Sequence, residues 1–196
     1  MYKGGLYLAI GDSITWCNYE SGATGDDIYT WKIYNSIKSN YGSIKYINKG
    51  IGGQDSNEMV SNKFWSCTFE PHLVTVGIGM NDCANGTIST NTYKTNLETI
   101  IDTLKSHKND VHIILCTPSR TSDAARLPYI DDYRTAMAEV AVSKNVSICH
   151  FENAFTQEEV ATYTTDGIHP NKAGHTLLYN QLWPIVQTGS WLNNLG

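Results

Sequence analysis

Charge is scarce in this chain. Only 17% of its 196 residues are Asp, Glu, Lys or Arg, against the roughly 25% common in soluble domains. The 14 basic residues are outnumbered by 19 acidic ones, for a net charge of −5. There is no basic face to hold a phosphate backbone, which excludes nucleic acid as the main partner. Cysteine is sparse and odd in number, five in all, with no C-x-x-C pair. A disulfide framework and a zinc cage are thereby disfavoured, and Cys116 and Cys149, set in apolar stretches, read as small reduced core residues. No apolar run approaches the ~18 residues of a membrane span. The run Leu6-Tyr7-Leu8-Ala9-Ile10 is too short for the apolar core of a signal peptide. On that ground the chain is expected in the cytoplasm; a mature extracellular or virion-associated module would read the same way. Charge blocks, low-complexity tracts, linkers and internal repeats are also missing.

What fills the sequence instead is neutral polarity, with 17 Asn, 20 Thr and 15 Ser beside 41% hydrophobic residues. That balance describes a folded, polar-skinned globule. The length suits one domain, over residues 1–196, with a core large enough to need no covalent staples. Short apolar runs alternate with stretches of helical period, the pattern of a parallel sheet covered by helices on both faces. Strands are predicted at 6–10, 44–48, 73–77, 111–117 and 146–151. A helix is predicted from Ile28 to Tyr41, opened by Asp27 and closed by Gly42. Asp55-Ser56-Asn57-Glu58 has capping-box spacing and starts a short helix. Tyr93, Leu97, Ile100, Ile101 and Leu104 share a helical face, as do Tyr129, Tyr133, Met137, Val140 and Ala141; both stripes belong to the core. A last helix is predicted from about Lys172 to Trp183, where Pro184 disturbs it. Five strands and about five helices make a three-layer α/β/α sandwich with a five-stranded parallel sheet. In such sheets ligands bind at the carboxyl ends of the strands.

Four blocks fall at those ends. Gly11-Asp12-Ser13-Ile14 follows the first strand, where a glycine turn can lift a serine hydroxyl from the sheet rim; a turn with an N-cap serine has the same sequence. Gly50-Ile51-Gly52-Gly53 follows the second strand and suits either close backbone approach to a ligand or a flexible loop. Gly79-Met80-Asn81-Asp82 follows the third, where the Asn81 amide is placed to meet a developing oxyanion or to close an Asx turn. Asp166-Gly167-Ile168-His169-Pro170 lies near the end of the chain. Its three-residue separation can set a carboxylate against imidazole Nδ1–H and leave Nε2 as a base; a turn-capping Asp beside a surface His is the plain alternative.

In this order, from Gly11 to Pro170, the blocks closely resemble the SGNH hydrolases, or GDSL-type esterases and lipases. The resemblance implies a flavodoxin-like fold. It implies Ser13 as nucleophile, His169 as general base and Asp166 as its orienting acid. It also implies an oxyanion hole made by the Ser13 backbone N–H, Gly53 and the Asn81 side chain, with Gly50 and Gly52 competing for the glycine role. The chain has no G-x-S-x-G pentapeptide, which separates it from ordinary α/β-hydrolases.

Around the nucleophile, Asp12, Trp16 and Tyr19 are assigned to substrate binding, and Cys83 and Asn85 to the mouth of the site. Arg120 and Arg126 lie on the active face, to meet an anionic substrate group or to sit solvated on the surface. His72, His107, His112, His150 and His175 lack metal-site spacing. No cofactor and no metal are expected. Together these features predict a serine esterase that removes small acyl groups, acetyl foremost, from a small-molecule or carbohydrate ester. The alternatives are a lysophospholipase or thioesterase of the same family and a non-catalytic carbohydrate-binding module.

Overall fold

The computed structural model describes residues 5–16, 23–63, 65–66 and 70–194. Its sheet has five strands, all parallel: β1 (Gly5–Gly11), β2 (Ile44–Gly50), β3 (Leu73–Gly77), β4 (His112–Cys116) and β5 (Ser147–Cys149), in the order β2-β1-β3-β4-β5. All seven residues of β1 are buried. A strand covered on both faces needs no polar alternation, and this explains its continuous apolar run. β2 is an edge strand and carries exposed Lys45 and Lys49, which discourage pairing with a foreign strand. β4 and β5 are shorter than their apolar sequences suggest. β5 keeps only three positions in register with β4 before the chain leaves for the 3-10 turn Phe151–Asn153.

Among the described residues seven α-helices surround the sheet: α1 (Ser13–Trp16), α2 (Tyr29–Tyr41), α3 (Ser56–Asn62), α4 (Thr90–His107), α5 (Ile130–Lys144), α6 (Val160–Tyr163) and α7 (Lys172–Gln187). α2 packs with α7, and α4 packs with α3 and α5. Winding reverses between β1 and β3, so crossovers of one handedness place these two groups on opposite faces. The reversal opens a crevice at the carboxyl ends of β1 and β3. None of the described helices is long and apolar enough to cross a membrane.

The capping box is present, with Glu58 N–H on Asp55 Oδ1 at 2.8 Å and Asp55 N–H on Glu58 Oε2 at 3.3 Å. Asp27, in contrast, does not cap α2. Its Oδ2 accepts from the N–H and hydroxyl of Thr24, and its Oδ1 pairs with Lys172 Nζ at 3.0 Å. The α4 stripe is fully buried, but on α5 Tyr129 departs from its stripe: it precedes the helix, is 40% exposed and lies against Gly86. α7 runs through Pro184 to Gln187 because Leu182 and Val186 are completely buried in the core. Tertiary burial there outweighs the ~3 kcal/mol that an interior proline costs a helix.

Candidate active site

The first wall of the site is the turn out of β1. A Cβ on Gly11 would sit 2.2 Å from the Gly77 carbonyl oxygen of β3, so the close approach of these strand ends admits only glycine. Asp12 N–H donates to that same carbonyl at 3.1 Å, and the chain then enters α1 with Ser13 as its first residue. The Asp12 carboxylate accepts the Ile14 N–H at 2.9 Å. Asp12 is only 3% exposed. Burial raises its carboxyl from an ordinary 3.8 to about 7, against the opposing pull of the Ile14 N–H. The carboxyl that the sequence assigns to substrate binding is thus a buried group that supports the turn.

The second wall comes from the end of β2. Asn48 bridges it to α1, its Nδ2 donating to Thr15 O at 2.7 Å while its Oδ1 accepts the Gly50 N–H at 2.8 Å. The three glycines of this block have different surroundings. A Cβ on Gly50 would fall 2.3 Å from Trp16 N, so Gly50 lets α1 lie against the strand end. Gly52 faces the Trp16 ring, where an added Cβ would find it at 3.4 Å. Gly53 has open space around it and φ of +76°, a left-handed conformation that favours glycine. Ile51 N–H on Gly11 O at 3.0 Å and Gln54 N–H on Ile51 O at 3.3 Å close this loop onto β1.

Asn81, beyond β3, joins it from the other side. Its Nδ2 donates to Gln54 O at 2.9 Å, and its Oδ1 accepts from Arg126 Nη2 at 3.3 Å. Asp82 behind it is fully buried; its Oδ1 accepts the Ser56 N–H at 3.0 Å, and burial raises its carboxyl to about 6.

The third wall is the loop between α6 and α7. Gly167, at φ +82°, presents its carbonyl to Ser122 N–H at 3.0 Å and to the Thr121 hydroxyl at 2.6 Å, which anchors the loop to the segment after β4. Asp166 Oδ1 accepts the N–H groups of Ile168 and His169 at 3.0 and 2.8 Å, and its Oδ2 takes His169 Nδ1–H at 2.6 Å. Partial burial pushes the Asp166 carboxyl up, but the His169 N–H, the ring and the Ile168 N–H together hold it below the usual carboxylate value. An ionised carboxylate only accepts, so the ring proton resides on Nδ1 and the lone pair on Nε2. That lone pair faces Ser13 Oγ at 2.8 Å, a contact spanning 156 residues of chain.

The structure thus brings Ser13, His169 and Asp166 into one hydrogen-bonded chain, with Gly53 and Asn81 on adjoining loops. Trp16, 48% exposed, stands at the same rim. Tyr19 and Cys17 lie outside the described residues. Arg120 donates through Nε to Phe155 O at 2.9 Å, and Arg126 through Nε to Met80 O at 2.9 Å and through Nη1 to Asp123 Oδ1 at 2.9 Å. Neither arginine is simply solvated. The Gln54 carbonyl is a structural participant that motif reading passes over, and the bonds of Asn48 and Arg126 are hidden from it, because each acts across a tertiary contact.

A serine hydroxyl against an imidazole lone pair, on the rim of a doubly wound sheet, is equipped to attack an acyl carbonyl. This is the class of the acyl-ester hydrolases. The chain belongs to the GDSL-like lipase/acylhydrolase family, whose model matches residues 9–177, and it is a carboxylic ester hydrolase of that family. Comparison with the curated proteins returns no match. Among solved structures, a GDSL-like lipase from Parabacteroides merdae is similar over 100% of this chain and 97% of its own, at 21% identity and a TM-score of 0.78. A catalytic mutant of an acetylxylan esterase from Geobacillus stearothermophilus is similar over 97% and 98%, at 23% identity and a TM-score of 0.75. An α/β hydrolase from the metagenome of Lake Arreo, Spain, covers 98% and 97%, at 21% identity and a TM-score of 0.76. At these identities the likeness establishes the fold.

Proposed function

We propose that this chain is a serine esterase that removes small acyl groups, acetyl foremost, from a carbohydrate ester. The observation that carries the reading is the unbroken relay from Ser13 Oγ to His169 Nε2 at 2.8 Å and from His169 Nδ1 to Asp166 Oδ2 at 2.6 Å. His169 takes the Ser13 proton as the oxygen attacks the carbonyl carbon. The oxyanion is received by the N–H groups of Ser13 and Gly53 and by Asn81 Nδ2, which has a second hydrogen beyond the one given to Gln54 O. Collapse expels the alcohol, which takes its proton from His169. Water then adds to the acyl-enzyme with His169 again as base, restoring Ser13 and releasing the acid.

The carbohydrate preference is supported by the exposed Trp16 ring beside the nucleophile, a flat surface suited to a sugar face. It is supported as well by likeness to a protein described as an acetylxylan esterase. Labelling by a fluorophosphonate, lost in Ser13→Ala, tests the nucleophile. Initial rates on p-nitrophenyl esters from acetate to palmitate, with acetylated xylan alongside, test the substrate. Acetate and acetylated xylan are expected to be the best of the set; a maximum at long chains would overturn the preference in favour of a lysophospholipase or thioesterase.

A further inference from the structure

We infer that Arg126 is a positioning residue that holds the Asn81 side-chain amide with its N–H edge toward the oxyanion. The inference rests on the reading of Asn81 as an oxyanion donor. A primary amide has two ends of nearly equal size, and rotation by half a turn exchanges a donor for an acceptor. Only one orientation serves an oxyanion. In the structure the Oδ1 end faces Arg126 Nη2 at 3.3 Å and the Nδ2 end faces Gln54 O at 2.9 Å. The flipped amide would press NH2 against a guanidinium and oxygen against a carbonyl, two repulsions in place of two bonds.

The guanidinium is itself immobilised. Its Nε donates to Met80 O at 2.9 Å, on the residue preceding Asn81, and its Nη1 donates to Asp123 Oδ1 at 2.9 Å. Asp123 Oδ1 also accepts the Ala125 N–H at 3.1 Å, so the acid is fixed by its own loop. One planar fork therefore reads the backbone carbonyl of position 80 and the side-chain carbonyl of position 81 together, a geometry that a lysine ammonium does not reproduce. The guanidinium charge beside the amide oxygen also draws electron density from Nδ2 and makes its remaining N–H a stronger donor.

The test is a double-mutant cycle on a soluble acetate ester, with Arg126→Lys, Arg126→Met and Asp123→Asn each made in the wild-type and Asn81→Ala backgrounds, and the melting temperature of every variant recorded. Both Arg126 substitutions are expected to lower kcat by about tenfold or more with KM changed less than about twofold, since the lost interaction belongs to the transition state. Asp123→Asn is expected to lower kcat by a smaller factor, about threefold, because it loosens Arg126 without removing it. In the Asn81→Ala background all three should cost less than about twofold, the signature of action through Asn81. Wild-type kcat in the Arg126 variants, or the same fold loss in both backgrounds, overturns the inference and leaves the Asn81 assignment standing. Should Arg126→Met not fold, Arg126→Lys and Asp123→Asn decide by the same criteria. Wild-type kcat in Asn81→Ala alone overturns instead the underlying reading of the site.

Discussion

Two carboxylates stand next to the Ser13–His169 pair and are held in opposite ways. Asp166 is 46% exposed in its side chain, takes three N–H donors and is kept below the ordinary carboxylate value. Asp12 is nearly inaccessible and is raised to about 7, chiefly by burial. The difference extends to the regions that carry them. The Ser13 side of the crevice is knitted by backbone bonds, close-approach glycines and buried acids. The histidine side is a more exposed loop, fixed by the Asp166 carboxylate, the Gly167 carbonyl and the bond from Thr165 N–H to His169 O at 2.9 Å. Hydrogen bonds to the charged form win where water still reaches, and desolvation wins where it does not. The more exposed half thus keeps its carboxylate ionised against an imidazole, whereas the buried half holds shape.

On that division, the largest effect on rate with the least on folding is expected from the more exposed half. Asp166→Asn keeps the shape but reverses one donor. The N–H groups of Ile168 and His169 still claim the oxygen at the Oδ1 position, which leaves NH2 facing the ring. The imidazole then carries its proton on Nε2 and has no lone pair for Ser13. A loss of kcat of about 10⁴ is expected, the size seen when this reversal is made in another serine hydrolase triad, with little change in melting temperature. Stopped or steady-state rates on an acetate ester, beside a melting curve, check both halves of the statement. Next in size is Asn81→Ala, for which a loss in kcat of about 10² to 10³ is expected from removing the proposed oxyanion donor. It is measured in the same assay.

Much of the comparison could be foreseen from the chain. β1, β3 and β4 were legible because strands buried on both faces are written as plain apolar runs, and the order of the blocks placed Ser13 and Asn81 just beyond β1 and β3, whereas His169 lies in the loop between α6 and α7. The capping box was legible because Asp55 and Glu58 act on each other over three residues. What escaped was set by contacts between distant segments. Asp27 meets Lys172, 145 positions on, rather than its own helix. Pro184 is tolerated because Val186 is wanted in the core. Asp12 reads as a polar rim residue next to a serine, and only the packing of β1 against β3 shows that its carboxyl turns inward. Arg126 reads as a surface cation until the loop that bears it is folded onto Met80 and Asn81.

The buried half is probed first by its glycines. Gly50→Ala would drive a Cβ to 2.3 Å from Trp16 N and 2.8 Å from Thr15 C, so the backbone of α1 has to shift and the serine with it. Overpacking of this kind costs about 1–3 kcal/mol, and both melting temperature and kcat are expected to fall. Gly53→Ala meets no atom and bears only the strain of φ +76°, about 1–2 kcal/mol. Its melting temperature should fall less than that of Gly50→Ala. The reverse ranking would mean that Gly53, not Gly50, is the structural glycine of the block.

The effect confined to stability, with the least expected on rate, is the pH dependence carried by Asp12. Its carboxyl is raised from 3.8 unfolded to about 7 folded. Between those values the unfolded chain has released a proton that the folded chain keeps, so the stability contributed by Asp12 is complete below pH 4 and is lost as pH rises through 7. Asp82, raised to about 6, runs in the same direction over a narrower window. His175 opposes them: burial lowers its imidazole from 6.5 to about 4, so its contribution is present above 6.5 and lost as pH falls through 4. The wild-type profile sums these opposing slopes, and a difference between variants isolates one of them. Asp12→Asn mimics the neutral acid, keeps an oxygen for the Ile14 N–H and cannot ionise. At pH 5 it should melt near the wild-type temperature; at pH 8 it should be the more stable of the two, by an amount of order one to a few kcal/mol. Chemical denaturation of both proteins at the two pH values measures the gap. An equal difference at pH 5 and pH 8 would place the Asp12 carboxyl in water and dissolve the contrast with Asp166.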